Sequence, residues 1–186
     1  MKSRTLAVSL CACLAPGALG QTSGVHEAAL ARLPLARAIA ADPEVLKALR
    51  AKNASGETLA MVQTRDRSWA TDAQRALREG LVNGPCAERL RALAREDATV
   101  VEVILMDAQG ANACLARETS DYWQGDEAKF QKTFGADREV FLDEPALDAS
   151  TGTYAIQLSL LIRAQGEKLG ALTLSLKVRK QELGGR

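Results

Sequence analysis

Apolar residues keep a helical step through the first half of the chain and turn to alternation in the second. From Val25, the positions Leu30, Leu33, Ala36 and Ala40 recur at three- and four-residue intervals with arginines between them, the spacing of a one-sided helix. Pro34 kinks that helix or starts it afresh. Asp42-Pro43-Glu44 opens the next one, since Asp caps well and Pro suits the first helical position. Val45, Leu46 and Leu49 then turn inward. Residues 53–56 are a break, after which Leu59, Val62, Asp66 and Trp69 share one face, with Trp69 expected to bury against the sheet. Thr71-Asp72 begins a short helix. Asn83-Gly84-Pro85 ends it and opens another, on which Cys86, Leu90 and Leu93 align.

The pattern changes at Thr99. Residues 100–106, VVEVILM, predict a strand covered on both faces. Asp107-Ala108-Gln109-Gly110 is a tight turn, with Asp first and Gly fourth, and residues 112–116 return as the second strand of a hairpin. Residues 126–133 predict a short helix and 140–143 a short strand. Two long strands follow, joined by a turn at 164–167 that carries Gly166. In the first, Tyr154, Ile156, Leu158 and Leu160 point one way, and Ala155, Gln157, Ser159 and Leu161 the other. In the second, Leu172, Leu174, Leu176 and Val178 oppose Ala171, Thr173, Ser175 and Lys177. Each long strand thus has a leucine-rich face and a face of small, hydrogen-bonding side chains. Helices followed by an antiparallel meander predict one α+β domain, with residues 21–98 as its helical region and 99–180 as its sheet and ligand-pocket segment. Its sheet is expected to have about five strands.

Length and charge narrow the classes. A chain of 186 residues is long enough for one well-buried core. Its net charge of +1 gives no attraction to nucleic acid or to an anionic membrane surface. Residues 1–20 read as a signal peptide: Lys2 and Arg4, an apolar run over 6–14, then Ala18-Leu19-Gly20 as a cleavage site. Leu10-Cys11-Ala12-Cys13 also resembles a lipobox, which would anchor the protein as a lipoprotein at Cys13. Either route predicts a periplasmic or secreted protein with no transmembrane span in the mature chain. In an oxidising compartment Cys86 and Cys114 either pair as a disulfide tying a helix to an early strand or stay as two buried thiols.

Residues 119–134, TSDYWQGDEAKFQKTF, hold one of two Trp, one of two Tyr and two of three Phe, beside Asp121, Asp126 and Glu127. Rings can wall a small polar molecule while charges orient it. Tyr122, Trp123 and Tyr154 are candidate walls, Trp123 for cation–π contact with an amine or guanidinium. Asp126, Asp143 and Asp148 are candidate partners for a charged nitrogen, and Arg117 or Lys129 for a carboxylate. Gln157 belongs to the polar strand face, and Arg67 and Trp69 are further candidates. Each has a plainer reading: Trp123 in a core, Asp126 capping a helix, Lys129 in solvent.

The run Ser120-Asp121-Tyr122-Trp123-Gln124-Gly125-Asp126-Glu127 resembles the loop–helix segment of bacterial extracytoplasmic Cache sensor domains. The likeness continues through Val140-Phe141-Leu142-Asp143-Glu144, through Asp148, Ser150, Thr151, Thr153 and Tyr154, and to Leu169-Gly170-Ala171-Leu172-Thr173-Leu174. It covers residues 100–178. The resemblance implies a PAS-like fold with long N-terminal helices on one sheet face and a ligand pocket on the other, beneath a loop–helix cover. It implies a sensor for an amino acid, amine or organic acid. Since no output segment follows Val178, signalling would pass through a separate membrane-bound kinase, cyclase or chemoreceptor. The rival readings are a ligand-free interaction module of the same fold and, least favoured, an exported hydrolase.

Catalytic patterns are sparse. His26 is the single histidine, without cysteines or acids at metal-ligand spacing. No phosphate-binding glycine motif occurs, and the adjacent Asp143 and Glu144 should diverge on a strand. Neither a metal nor a cofactor is expected, and the chain reads as a non-enzyme.

Overall fold

The computed structural model describes residues 18–148, 152–179 and 182, with side chains from Gly24 onward apart from that of Asp148. The basic start, the apolar run, both leader cysteines, Ser150 and Thr151 lie outside these residues. Six helices come first: α1 (Ala18–Leu30), α2 (Leu33–Ala40), α3 (Pro43–Asn53), α4 (Leu59–Arg67), α5 (Arg75–Val82, after a 3-10 turn at Asp72–Gln74) and α6 (Pro85–Ala94). Pro34 does start a new helix, since α2 carries a proline in its first turn. Asp42 caps α3 by accepting from the Glu44 amide at 3.0 Å, as expected of its residue type. No helix among the described residues is long and apolar enough to cross a membrane.

Strands β1 (Val100–Met106), β2 (Asn112–Leu115), β3 (Val140–Leu142), β4 (Ala146–Asp148), β5 (Thr153–Ala164) and β6 (Glu167–Lys177) form one antiparallel sheet in the order β2-β1-β6-β5-β3, with β4 also on β5. That is one strand more than expected. Strand β4 has only three residues, ALD, which show no alternation long enough to read; it forms because β5 is long enough to pair with two short strands in succession. The helix expected at 126–133 is shorter and shifted: α7 spans Ala128–Phe130 and passes into a π-type turn over Gln131–Gly135. The β5–β6 turn has positive φ at Gln165 (54°) and Gly166 (84°), the two-residue form whose twist suits a hairpin.

Both strand faces emerge as the alternation predicts. Val103, Leu105, Ile156, Leu158, Leu172 and Leu174 pack under Ile39, Val45, Leu49, Leu90 and Leu93 of the helical layer. Cys86 and Cys114 are joined as a disulfide across a sequence separation of 28, so α6 is tied to β2. Leu59, expected to share a face with Val62 and Trp69, is 44% exposed, whereas those two are buried.

One close approach fixes how tightly β1 and β6 meet. A Cβ on Gly170 would fall 2.0 Å from the Met106 carbonyl oxygen and 3.0 Å from Cδ2 of Leu49. The first neighbour is backbone and cannot swing away. Gly170→Ala is therefore expected to lower stability by roughly 2–3 kcal/mol, a fall of roughly 5–10 °C in Tm for a chain of this size. Thermal melting checks this; an unchanged Tm would mean the two strands are not so close.

Candidate functional site

The face of the sheet away from the main helical layer is divided in two. At one end Ile104, Met106, Leu115 and Ala171 carry a second apolar cluster with Val62, Trp69, Leu81, Tyr122 and Phe130. At the other, Glu102, Gln157 and Ser175 are left as a polar floor. Ser159 and Thr173, both fully buried, bond hydroxyl to hydroxyl at 2.9 Å between the two ends. The segment 119–134 crosses this face and does different work over each half.

Its attachment begins at the β1–β2 turn. Asp107 Oδ1 accepts from the Gln109 amide at 2.8 Å and the Ala111 amide at 2.9 Å. Burial nevertheless pushes its carboxyl above the ordinary value. The Gln124 amide donates to the Gly110 carbonyl at 2.8 Å. There the two chains touch at paired glycines: a Cβ on Gly110 would sit 2.5 Å from Gly125 Cα, and one on Gly125 would sit 2.3 Å from Trp123 Nε1. Gly110 also has φ +81°, which disfavours any L side chain.

The helical side of the attachment is a buried charge network. Glu57 takes its place just before α4, its side chain 4% exposed, with Lys52 on one carboxylate oxygen and Arg65 on the other. The Tyr122 hydroxyl donates to Glu57 Oε2 at 2.8 Å and also receives from Lys52. Burial alone would raise the Glu57 carboxyl; the Lys52 and Tyr122 hydrogen bonds and the positive charge of Lys52 and Arg65 outweigh it, so the pKa falls below 4.5. Burial, then the Glu57 contact, pushes the Tyr122 phenol well above its usual value. Asp66 Oδ1 on α4 accepts from the Tyr122 and Trp123 amides, each at 2.9 Å. The Trp69 indole donates to the Thr119 carbonyl at 2.9 Å, and its ring stacks on Tyr122 with centroids 5.1 Å apart.

Over the polar half the same segment roofs a cavity of about 650 Å³. Its floor is Glu102, Ile104, Ala155, Gln157 and Ser175. One wall is Glu118, Thr119, Ser120, Asp121, Gln124, Glu127 and Lys129, and the other Asp143, Glu144, Ala146 and Leu147. Six carboxylates thus face one ammonium. Lys129 has its side chain 6% exposed, with Nζ 2.9 Å from Glu127, the partner that a buried ammonium requires. Glu102 accepts from the Ser175 hydroxyl at 3.2 Å and lies 3.9 Å from Arg117. Glu118 pairs with Arg78 and Glu144 with His26, each at 3.6 Å. Asp121 accepts from the Ser120 hydroxyl at 2.6 Å, and Asp143 from the Glu144 amide at 2.9 Å. Among the described residues neither Asp121 nor Asp143 has a cation within ion-pair distance. The Asp143 amide donates to the Gln157 carbonyl at 3.0 Å, so that wall is pinned to the floor.

Of the residues singled out in the sequence, Lys129, Asp143 and Gln157 meet in this cavity. The aromatic residues do not. Tyr122 and Trp69 are buried in the second apolar cluster, and Trp123 packs beside it with its indole donating to the Gln109 carbonyl at 2.8 Å. The reason is geometric: Asp66 holds the Tyr122 and Trp123 amides, which commits that part of the segment to α4. Tyr154 packs against the opposite, helix-covered face. Arg67 is exposed and donates to Thr64 Oγ1, Asp126 is exposed ahead of α7, whose cap position is Glu127, and Arg117 reaches the cavity only through Glu102. Asp148 ends β4, its side chain outside the described ones. Glu102, Glu118, Ser120 and Gln124 were missed, while Asp121 and Glu127 were noted only as charges of the segment and Ser175 only as part of the polar strand face. Glu102 had a readable signal, a lone acid inside an otherwise apolar strand.

No protein-family model matches the chain, and comparison with curated proteins gives no match. Solved structures do match. The sensor domain of the V. cholerae histidine kinase DctB superposes with a TM-score of 0.50 at 13% identity, over 90% of this chain and 58% of that one. The ligand-binding domain of the Pseudomonas aeruginosa PAO1 amino acid chemoreceptor PctC, in complex with GABA, gives 0.47 at 17% identity, over 88% and 59%. This chain therefore spans less than two thirds of either. Its fold is the one expected of Cache-type sensor domains: an antiparallel sheet with the main helical layer on one face and, on the other, a loop–helix cover, beside which α4 and α5 also pack.

Proposed function

We propose that this chain is a ligand-binding sensor domain whose cavity takes a small molecule with a positively charged nitrogen, an amine or an amino acid. The observation that carries the reading is the cavity's lining: six carboxylates and a single, buried ammonium around about 650 Å³, a volume suited to a small molecule. Asp121 on the cover and Asp143 on the facing wall are the groups proposed to hold the nitrogen. Lys129 is proposed to meet a carboxylate where the ligand has one, and Gln157 and Ser175 to give or accept hydrogen bonds from the floor. An organic acid without an amine would enter an acid-lined space with one cation to meet it, so that class is disfavoured.

The leader-like start over 1–20 supports export, and the fold supports a sensory role exercised through a separate membrane-bound kinase, cyclase or chemoreceptor. No reaction is proposed, because Asp143 and Glu144 stand side by side on one wall with their charges turned to different partners.

Thermal-shift screening of the mature chain against amines, amino acids and organic acids tests the reading. A ligand at a hundred times its Kd adds about 2.7 kcal/mol, or roughly 5–10 °C in Tm. Amines or amino acids are expected to produce such a shift and dicarboxylates to produce none. A flat result across the panel would favour the ligand-free interaction module instead.

A further inference from the structure

Resting on that reading of the cavity, we propose that α4 is the element that registers whether the cavity is filled, and that Tyr122 and Asp66 are the positioning residues through which it does so. Neither lines the cavity. Along residues 120–124, Ser120, Asp121 and Gln124 line the cavity, while the amides of Tyr122 and Trp123 between them bond Asp66 on α4. The Asp121 carbonyl and the Tyr122 amide belong to one planar peptide unit, so a ligand that draws the Asp121 backbone inward moves the amide that Asp66 holds.

Helix α4 is built to follow. Among its nine residues only Val62 is buried, so little packing holds it to the rest of the domain. Polar links from the helix and its two flanks run to the cover: two amides on Asp66 at 2.9 Å each, the indole of Trp69 just past its end on Thr119 at 2.9 Å, and Tyr122 on Glu57 just ahead of its first turn at 2.8 Å. An element with few buried apolar contacts opens at low free energy. Anything that holds the cover in place should therefore raise the protection of α4, and loss of the links should weaken ligand affinity by the same factor.

Hydrogen exchange on the full chain, with and without saturating putrescine, tests this in the wild type and in Tyr122→Phe, Asp66→Ala and Asp66→Asn. Without putrescine, Asp66→Ala is expected to speed exchange at residues 59–67 and 119–124 together by about tenfold or more, as two amides lose a charged acceptor. Asp66→Asn keeps an acceptor oxygen and should restore most of that protection. Strands β5 and β6 should be unaffected in this ligand-free comparison. With putrescine, α4 should gain protection in the wild type and lose that gain in Tyr122→Phe and Asp66→Ala. The proposal is overturned if cover and α4 respond separately, if β5 and β6 loosen equally, or if putrescine protects α4 as well in Asp66→Ala. Should putrescine leave even the wild type unchanged, the amine reading fails on its own, and the ligand-free comparison still decides whether α4 and the cover move as one.

Discussion

Replacing Glu57 with alanine is expected to remove about 3–5 kcal/mol of stability at neutral pH, the range for deleting one partner of a buried ion pair. The loss exceeds that of an ordinary surface pair, because Lys52, 13% exposed, would be left without its carboxylate and the Tyr122 hydroxyl without its acceptor. Arg65, at 38% exposure, can turn to water and adds little. The effect should depend on pH in a defined sense. Glu57 has its carboxyl lowered in the folded chain from about 4.5, so its stabilisation is complete above that value and is lost as pH falls through the lower, folded one. The gap between wild type and variant should therefore narrow as pH drops below about 4.5. Asp107, whose carboxyl is raised, acts in the opposite sense, losing stability as pH rises through its window; being present in both proteins, it cancels to first order. Denaturant midpoints at pH 7 and pH 3.5 measure this. A gap below about 1 kcal/mol at pH 7, or one that does not narrow in acid, would show that the network is less buried than its geometry implies.

That network was not visible in the sequence, whereas most of the frame was. The strand faces of β5 and β6 were readable because alternation is set by the backbone itself, and the polar run Gln157, Ser159, Thr173, Ser175 had to lie opposite the leucines. The caps at Asp42 and Pro43 were local events with local signals. Glu57, Lys52, Asp66 and Tyr122 belong to three separate segments and share no spacing. Nothing in one segment announces a partner 65 residues away, as Tyr122 is from Glu57. The same limit explains the aromatic residues. Composition marked 119–134 as unusual, and it does roof a cavity, but composition could not tell which positions would face inward. The tether to α4 takes Tyr122 and Trp123, so the cavity receives Ser120, Asp121 and Gln124. The wall expected to be aromatic is accordingly polar and acidic.

That acidity sets up the largest binding effect anticipated. Asp143→Asn is expected to weaken binding of a primary amine by roughly 30-fold or more, corresponding to about 2 kcal/mol, the lower end for removing one member of a desolvated charge pair. Its neighbour supplies the control. Glu144 has a side chain 79% exposed and stands 3.6 Å from His26, so Glu144→Gln should change affinity by no more than about fivefold, as solvent-exposed charges do. Both variants remove one negative charge from the same wall, so a long-range field would weaken binding in each alike. A direct contact at Asp143 would separate them. Lys129→Met should leave a simple diamine bound as well as before or better, because the cavity loses its one cation, while an amino acid should lose affinity through its carboxylate. Calorimetry with putrescine and with arginine on all three variants distinguishes these cases. Equal losses for Asp143→Asn and Glu144→Gln would reduce the wall to a diffuse field, and tighter binding of arginine by Lys129→Met would place the ligand's carboxylate elsewhere.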